Sequence, residues 1–333
     1  MARSHVRRLR EDLGLSQTEL ASRAGVSRQL VGAVEAGRHL PRVDAALALA
    51  SVLGVEVAAL FETSALPVDI TTGSRPDEGA VRVGRVGDRL VSAPARVGAD
   101  GWDVADGLIE AGGFKTFDPL APGLVVAGCE PSLELLEHLL REKGRGAVAV
   151  ALSSAGAIDA LAAGRLHAAV VHGPDGDVTW AAGGEVVCFR LARWRVGLVS
   201  RPDAKRNWWR RALSGHAPVV QREAGAGAQR AFESALPRPG SAPKGPRVGS
   251  HLEAVRYAVA TGLAAVSIEP AALACGAVFH PLETHEAQLW VPRLWLGERT
   301  VSDALDLLSS RRFRRRLESI GGYDLSRCGE RAA

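Results

Sequence analysis

The chain has 333 residues, 47% of them hydrophobic, which suits two or three domains with sizeable buried cores. Its formal net charge of +4 is too small for a protein that coats nucleic acid non-specifically, so any contact with DNA should be local. No segment is apolar over the roughly 18 residues that a membrane-spanning helix needs, and the N-terminus lacks the apolar region of a signal peptide.

The segment from Ser16 to Gly37 predicts two short helices joined by a tight turn. Ser16 and Glu19 have the spacing of a capping box, so a helix is predicted to begin at Gln17 with Ser16 as its N-cap. Gly25 can adopt the positive φ that ends a helix, and Ser27 caps a second helix with apolar residues at three- and four-residue spacing. Two helices joined by such a turn form the helix-turn-helix arrangement, whose second helix enters the major groove of DNA.

Polar residues remain on the second helix once its apolar residues are buried. Arg28 suits guanine and Gln29 suits adenine through bidentate contacts, while Ser27 lies beside them and Gly32 permits close approach to the groove. An ordinary helical hairpin with solvated polar residues has the same spacing and is the alternative. A first helix is predicted over residues 3–14, and its arginines either contact phosphates or are only solvated.

The wider pattern extends from Arg10 to Pro41. Its members are Arg10, Gly14, Leu15, Ser16, Gln17, Leu20, Ala21, Gly25, Val26, Ser27, Val34, Glu35, Gly37, Arg38 and Pro41. Together they resemble the DNA-binding domain of the Cro/lambda-repressor (Xre) family over roughly residues 3–62. The resemblance implies that Gln17 contacts a backbone phosphate, that Arg28 and Gln29 read bases, and that Glu35 ties the helices together. The predicted DNA-binding set is Gln17, Ser27, Arg28, Gln29, Gly32 and Arg38.

Residues 63–120 are predicted to form a linker and a small β-rich connector. The segment ITTGSRPDEG is polar and contains Gly and Pro, and AVRVGRVGDRLVSAP then alternates like a hairpin with Gly87-Asp88 as its turn. This composition indicates no particular function for the connector.

From residue 124 onward, short apolar runs alternate with helical patterns. Strands are predicted at residues 124–128, 147–152 and 167–172, and a second block follows with strands at residues 195–200 and 264–268 among others. Strands separated by ten to fifteen helical residues indicate βαβ units and a parallel sheet. The segment 288–296 returns the chain to the first block, so the pattern predicts two α/β lobes with two crossings, as in a Venus-flytrap binding module.

Several motifs of this region occur in a recognisable order. They are GCEPSLELLEHLL, SSAGAIDALAAGRLHAAVVHG, RWRVGLVS, QREAGAGAQRAFESAL, SHLEAVRYAVATGLAAVSIEPAAL and RRLESIGGYD. Over about residues 124–325 they resemble the periplasmic-binding-protein-like domain that is fused to helix-turn-helix regulators, a group similar to type II solute-binding proteins and in part associated with molybdate or tungstate.

The predicted fold is therefore multidomain. An all-α five-helix helix-turn-helix domain is followed by a small β-rich connector and a two-lobed α/β periplasmic-binding-protein-like domain. The boundaries are residues 1–62, 63–120 and 121–325, with a tail at 326–333; lobe one takes about 124–190 and 286–320, and lobe two about 193–283.

Ligands of open α/β sheets bind at the carboxyl ends of strands, where helix N-termini present unpaired N–H groups. Loops at residues 129–132, 153–156, 222–227 and 250–251 satisfy that rule, two from each lobe. The predicted ligand-binding residues are Cys129, Glu130, Ser132, Ser153, Ser154, His172, Arg193, Arg222, Gly225, Gly227, Ser250 and His251.

Each of these candidates has a plainer interpretation. Ser153 and Ser154 suit an oxyanion or only cap a helix, and Arg222 either binds an anion or is a surface residue beside a Gly-rich turn. Glu130 would repel a free anion unless it caps the next helix or accepts hydrogen bonds from a larger polar ligand. His251 and His172 are equally open between ligand contact and a structural role, and Arg193 lies near the predicted first crossing, as a hinge or a contact.

Other clusters are weaker. His280, Glu283, His285 and Glu286 fit no standard metal-ligand spacing and are predicted to lie in a surface loop. Cys129, Cys188, Cys275 and Cys328 are scattered, which favours reduced thiols of a cytoplasmic protein. No GxSxG, HExxH or P-loop motif is present. We therefore expect no metal, no cofactor and no enzymatic activity. The run of arginines at residues 311–316 forms a basic helix end that either approaches DNA or is solvated.

The predicted function is a ligand-responsive, DNA-binding transcriptional regulator. One helix-turn-helix reads too few bases, so a homodimer on a double-stranded operator with half-sites roughly 34 Å apart is expected. The expected effector is a small polar or anionic ligand, either an oxyanion such as molybdate or tungstate or a small carboxylate or phosphate metabolite. The alternatives are a cofactor-biosynthesis-type enzyme, and a ligand-independent repressor, antitoxin or scaffold.

Overall fold

The computed structural model describes residues 3–62, 66–95, 97–98, 101–102, 104–110, 113–118, 120, 122–174, 185–238 and 243–332. The chain divides into two compact units. The first comprises Met1–Leu66 and Leu108–Lys115, and the second Pro67–Gly107 and Thr116–Ala333. Among the described helices, none is long and apolar enough to cross a membrane.

Five helices make up the first unit, with a short two-stranded pair. They are α1 (Val6–Asp12), α2 (Gln17–Ala24), α3 (Arg28–Glu35), α4 (Val43–Leu53) and α5 (Val57–Leu60), with strands β1 (Arg3–Ser4) and β2 (Phe61–Glu62). The predicted first helix began at residue 3, which is wrong, because Arg3 and Ser4 pair antiparallel with Glu62 and Phe61 instead. Leu20, Val31 and Leu49 are fully buried in the core between the helices.

The ends of α2 and α3 follow from their capping residues. The Ser16 Oγ accepts a hydrogen bond from the Glu19 backbone N–H at 3.2 Å, and the Glu19 carboxylate accepts one from the Ser16 N–H at 2.7 Å. Gly25 ends α2 at a φ of 66°, and the Ser27 Oγ accepts from the Leu30 N–H at 3.1 Å. The two predicted helices and their turn are therefore confirmed.

Short strands fill the segment after the first five helices. They are β3 (Val68–Asp69), β4 (Gly79–Val86), β5 (Arg89–Pro94), β6 (Val97–Gly98), β7 (Gly101–Trp102), β8 (Gly107–Glu110) and β9 (Gly113–Thr116). The predicted hairpin is confirmed, since β4 and β5 pair antiparallel around Gly87, whose φ is 56°. The hairpin packs on the large sheet of the second unit: a Cβ on Gly84 would lie 2.4 Å from the Val125 Cγ2, so this contact requires glycine.

The rest of the second unit is an eight-stranded mixed sheet covered by helices. Its strands are β10 (Gly123–Gly128), β11 (Gly146–Ala151), β12 (Ala168–Gly173), β13 (Val186–Ser200), β14 (Val219–Arg222), β15 (Arg247–Val248), β16 (Ala264–Ile268) and β17 (Val278–Pro292). Its helices are α6 (Ser132–Glu142), α7 (Ser154–Ala162), α8 (Trp208–Leu213), α9 (Gly227–Ser234), α10 (His251–Thr261), α11 (Glu269–Ala274), α12 (Arg299–Leu308) and α13 (Arg311–Glu318), with a 3₁₀ turn at Arg293–Trp295.

The strand order is β11-β10-β12-β17-β13-β16-β14-β15. The predicted parallel pairs are confirmed on both sides, between β10 and its neighbours β11 and β12, and between β14 and β16. The two central strands, β13 and β17, run antiparallel to each other along 15 residues each and connect the two blocks.

These central strands correct two predictions. The strand at residues 195–200 is only the last part of β13, and the segment with His280, Glu283 and His285 is strand β17 rather than a surface loop. The charged residues that hid the strand pattern of β13 are paired: Arg190 with Glu286 of β17, and the Arg195 Nε with the Glu269 Oε2 of α11 at 2.7 Å.

Candidate functional site

A cluster of buried polar side chains in the second unit, called the pocket below, forms where strands end and helices begin. Cys129 directly follows β10, His172 lies near the end of β12, Arg222 ends β14, and His251 is the first residue of α10. Ligand-type atoms of Cys129, His172 and His251 all lie within 4.8 Å of one another. The fold therefore brings together predicted residues from both blocks, as the strand-end rule requires.

Three histidines and a tryptophan line this pocket. The Nδ1 atoms of His172 and His285 are 2.9 Å apart, and the Trp194 ring centroid lies 4.8 Å from that of His172. A Cβ on Gly227 would lie 3.0 Å from the His172 Cε1, so glycine at this helix start lets α9 approach the imidazole closely. The prediction placed His285 in a loop; it is fully buried in β17 and belongs to the pocket.

Arg222 is the charged centre of the pocket and is only 1% exposed. Its Nη2 donates to the Gly249 carbonyl at 2.8 Å, and its backbone N–H donates to the Gln229 Oε1 at 3.0 Å. Its Nε and Nη1 have no hydrogen-bond partner among the described residues. Burial lowers the pKa of Arg222 below its ordinary value, while Cys129 and Glu223 act in the opposite direction.

Burial also sets the protonation states of the neighbours. It raises the pKa of the Cys129 thiol to about 12, although the nearby Arg222 cation opposes that rise. It lowers the pKa of both His172 and His251 well below the ordinary value, and Arg222 lowers them further. At neutral pH the pocket without a ligand therefore holds a thiol, neutral imidazoles and one guanidinium.

Glu130 is held mainly by its own loop. Its Oε1 accepts a hydrogen bond from the Ser132 backbone N–H at 3.0 Å and another from the Tyr323 hydroxyl at 2.7 Å. Burial raises the pKa of its carboxyl group. The geometry favours the capping interpretation of Glu130 at the start of α6. Within the described ranges, the Glu130 Oε2 and the Ser132 Oγ have no hydrogen-bond partner.

Three predicted serines make local hydrogen bonds. Ser153 caps α7 by accepting from the Gly156 N–H at 3.2 Å, Ser250 caps α10 by accepting from the Glu253 N–H at 3.1 Å, and the Ser154 Oγ accepts from the His172 N–H at 3.1 Å. Ser153 therefore has its plainer interpretation as a helix cap, whereas Ser154 bonds the backbone of β12 rather than capping a helix. Gly225 takes a φ of 82° in the turn before α9.

Arg193 is the predicted residue that lies away from the pocket. Its backbone exchanges hydrogen bonds with Asp324 at 2.9 and 2.8 Å. Because side chains alternate along a strand, Arg193 projects to the face opposite Trp194.

Sequence reasoning missed the contribution of Tyr323 and of Gln229. Tyr323 lies 193 residues from the Glu130 that it contacts, so no local pattern pointed to it. Gln229 lies in α9, where a single buried amide resembles an ordinary exposed helical glutamine in sequence.

The first unit presents a different arrangement. The Glu35 carboxylate accepts from the Arg10 Nε at 2.6 Å and from the Gln17 Nε2 at 2.8 Å, so the predicted role of Glu35 in joining the helices is confirmed. Ser27, Arg28 and Gln29 are exposed at the start of α3. Arg38 is also exposed, and Gly32 faces the Gln17 side chain, whose Oε1 would lie 3.9 Å from an added Cβ.

Comparison with known proteins adds two family matches. Residues 136–309 match the model of the PBP superfamily domain, and residues 6–60 match a helix-turn-helix model. An uncharacterized HTH-type transcriptional regulator of Methanothermobacter thermautotrophicus is 46% identical over 54 residues, which are 16% of this chain and 78% of that protein.

Solved structures resemble part of this chain at low identity. An ABC-type phosphate transport receptor from Vibrio cholerae is 14% identical with a TM-score of 0.41, covering 60% of this chain and 98% of its own. The reduced form of the OxyR regulatory domain from Pseudomonas aeruginosa is 15% identical with a TM-score of 0.41, covering 56% of this chain and 98% of its own.

Proposed function

We propose that this chain, which belongs to the PBP superfamily and carries an Xre-type helix-turn-helix domain at its N-terminus, is a transcriptional regulator whose affinity for DNA changes when a small anion binds beside Arg222. The observation that carries the anion is the guanidinium of Arg222. It is 1% exposed, and in the described part of the chain its Nε and Nη1 have no acceptor. A buried guanidinium with two free donors is strongly stabilised by a carboxylate, a phosphate or another oxyanion.

Neighbouring groups support the same ligand class. The helices α9 and α10 begin at Gly227 and His251, on either side of Arg222, and helix N-termini favour negative charge. The Ser132 hydroxyl, 3% exposed and beside the Glu130 carboxylate, belongs to the other block and is a further candidate donor to the anion. An anion that contacts groups from both blocks binds most tightly when the blocks are close together.

Ligand binding would act on DNA by shifting a population. A ligand shifts a conformational equilibrium only by its differential affinity for the two states, and coupling of about 1–3 kcal/mol corresponds to a roughly 5- to 150-fold change in DNA affinity. Arg28 and Gln29, exposed at the start of α3, are the proposed base readers, with Gln17, Ser27, Gly32 and Arg38 beside them.

We further propose that two copies bind one operator. Leu40, Val43 and Leu47 lie at the start of α4 with 63%, 76% and 56% of their surfaces exposed. Because specific operators are read as paired half-sites, a second copy of this chain is the proposed partner of this apolar strip.

The test uses the full chain and a panel of phosphate, molybdate, tungstate and small dicarboxylates in calorimetric titrations. One anion should bind at one site per chain, and Arg222→Gln should weaken it by about 100-fold or more, as expected for a lost charged hydrogen-bonding partner. Arg247→Gln, an exposed arginine of β15, is the matched control and should bind normally. Equal binding by both variants would refute the role of Arg222.

The DNA arm selects a binding sequence from a random pool and repeats the gel-shift titration with and without that anion. Its addition should change the affinity, and alanine at Arg28 and Gln29 should relax the sequence preference. An anion that binds tightly but leaves DNA affinity unchanged would refute the regulatory coupling.

A further inference from the structure

Three side chains with metal-binding atoms meet in the pocket, although they are far apart in the chain. The Sγ of Cys129 and a ring nitrogen of each of His172 and His251 lie within 4.8 Å of one another. Cys129 is 7% exposed, His172 2% and His251 1%. Cys129 and His172 belong to the first block of the sheet and His251 to the second, so only the complete fold creates the cluster.

His251 supplies the independent observation that points to a ligand. Its Nδ1 and its Nε2 both have no hydrogen-bond partner among the residues that the structure describes. A buried imidazole normally satisfies at least one nitrogen, because burying an unpaired polar group is costly. The ring is held at the start of α10, and both of its nitrogen atoms are available to a ligand.

His285 fixes the orientation of the His172 ring. The Nδ1 atoms of His172 and His285 are 2.9 Å apart, so one donates a hydrogen bond to the other. The Glu283 carboxylate lies 3.3 Å from the His285 Nε2, which has no hydrogen-bond partner among the described residues. When His172 is the donor, its Nε2 keeps a lone pair, which is the state that a metal ion binds, and a hydrogen-bonded partner behind a ligating histidine is a common second shell of metal sites.

We propose that Cys129, His172 and His251 bind one thiolate- and imidazole-preferring transition-metal ion, of which zinc(II) is the reference case, and that His285 is a positioning residue for His172. This names a ligand class for the pocket of the proposed function, and it rests on that function only for its effect on DNA. One thiolate and two imidazoles suit zinc(II) or copper(I), whereas magnesium and calcium require oxygen ligands.

The observed separations fit an open form of such a site. With zinc–ligand bonds of about 2.0–2.3 Å, ligand atoms in a tetrahedral site are about 3.3–3.6 Å apart. The cluster, with separations of at most 4.8 Å, would contract by no more than about 1.5 Å on binding. Since the ligands come from both blocks, that contraction would draw the blocks together, and the Cys129 thiol would release its proton to solvent.

Arg222 would hold the anion that fills the fourth coordination position of the metal ion. A guanidinium beside a metal ion is unfavourable on its own, but the Cys129 thiolate and an anionic fourth ligand offset that repulsion. The Nε and Nη1 of Arg222 are the donors that would hold this anion. The metal ion and the anion of the proposed function are thus compatible in one pocket.

The test is a titration of the chelator-treated full chain with cobalt(II), followed by competition with zinc(II) and, under reducing conditions, copper(I). We expect one equivalent per chain, a thiolate-to-cobalt charge-transfer band and the intense visible bands of a four-coordinate ion. X-ray absorption of the zinc form should give one sulfur at about 2.3 Å and two nitrogens at about 2.0–2.1 Å. Absence of sulfur from the zinc shell would overturn the proposal without any variant.

Variants then assign the ligands. Cys129→Ser should remove the charge-transfer band, while the control Cys188→Ser/Cys275→Ser, which alters two half-buried thiols outside the cluster, should keep it. His251→Ala should weaken binding more than His285→Ala, which should lose about 10- to 100-fold in affinity while retaining the band. A band that persists in Cys129→Ser refutes the site.

DNA binding separates this inference from the proposed function. Metal binding with the expected ligands but without any change in DNA affinity would refute the regulation and leave the metal site standing. Anion-dependent DNA binding in a chain that binds no zinc, cobalt or copper would overturn the metal site and leave the proposed function standing.

Discussion

The helix-turn-helix region and the pocket around Arg222 treat their buried polar groups in opposite ways. In the first, Glu35 is bonded by Arg10 and by Gln17, and Ser16 and Ser27 cap their own helices. In the pocket, nitrogens of Arg222 and of His251 have no acceptor or donor opposite them in the described part of the chain. Polar groups that are hydrogen-bonded within the protein stabilise its ligand-free form, whereas buried polar groups without partners can form their hydrogen bonds only with a ligand.

The largest expected effect comes from breaking the satisfied network. Glu35→Ala removes the buried partner of Arg10, whose side chain is 10% exposed, and leaves that cation with only the exposed Glu11 carboxylate at 3.3 Å. Breaking a buried pair costs about 3–5 kcal/mol, and we expect about 3 kcal/mol in this small domain, where the guanidinium lies near the surface. Urea unfolding of the full chain, followed in the helix-turn-helix transition, measures it.

The matched control is Glu11→Ala, since the exposed Glu11 pairs with Arg7 and contacts the Arg10 Nη2 only at 3.3 Å. It should change the same transition very little. Equal losses in the two variants would mean that Glu35 does not hold the helices together.

Acid should destabilise the second unit through His167. Its Nδ1 accepts a hydrogen bond from the Val125 N–H at 3.0 Å, and burial lowers the pKa of His167 to about 4. The pKa in the unfolded chain is about 6.5. The contribution of neutral His167 to the free energy of unfolding is therefore fully present above pH 6.5, and it falls by about 1.4 kcal/mol per pH unit as the pH drops towards 4. Urea unfolding at several pH values should show wild type losing stability more steeply than His167→Gln.

An exposed histidine provides the control for this dependence of stability on pH. His138 lies on α6 with 61% of its side chain exposed, so His138→Gln should keep the wild-type pH dependence. A His167→Gln slope equal to that of wild type would show that burial of His167 does not govern the acid response.

The same contrast explains what the sequence could predict. Ser16 and Glu19 interact three residues apart, and the turn at Gly87 joins adjacent strands, so local patterns were sufficient. The strands at residues 124–128 and 147–152 were predicted because they are apolar runs between turn residues, and each matches β10 or β11 to within one residue at either end.

The pocket was predicted only in part. The strand-end rule pointed to Cys129, Arg222 and His251, but it could not give the side chains opposite them. His285 meets His172 across 113 residues. It was assigned to a loop because the polar residues His280, Glu283 and Glu286 interrupt the apolar pattern of β17, and nothing in the sequence shows that Glu286 pairs with Arg190 of the neighbouring strand.

The smallest expected effect, of opposite sign, comes from removing the unsatisfied charge. Arg222→Met loses one hydrogen bond, to the Gly249 carbonyl, and eliminates a guanidinium that is buried with two free donors. Replacing a poorly compensated buried charge by a flexible apolar side chain should stabilise the ligand-free protein by about 0.5–2 kcal/mol while abolishing anion binding. Arg82→Met is the control, because Arg82 pairs with Glu137 and donates to the Ala149 carbonyl at 3.1 Å, so loss of this satisfied cation should destabilise the protein. Urea unfolding of both variants, followed by tryptophan fluorescence, measures the change in the free energy of unfolding. A decrease in Arg222→Met as large as that in Arg82→Met would mean that Arg222 is a structural residue rather than part of a ligand site.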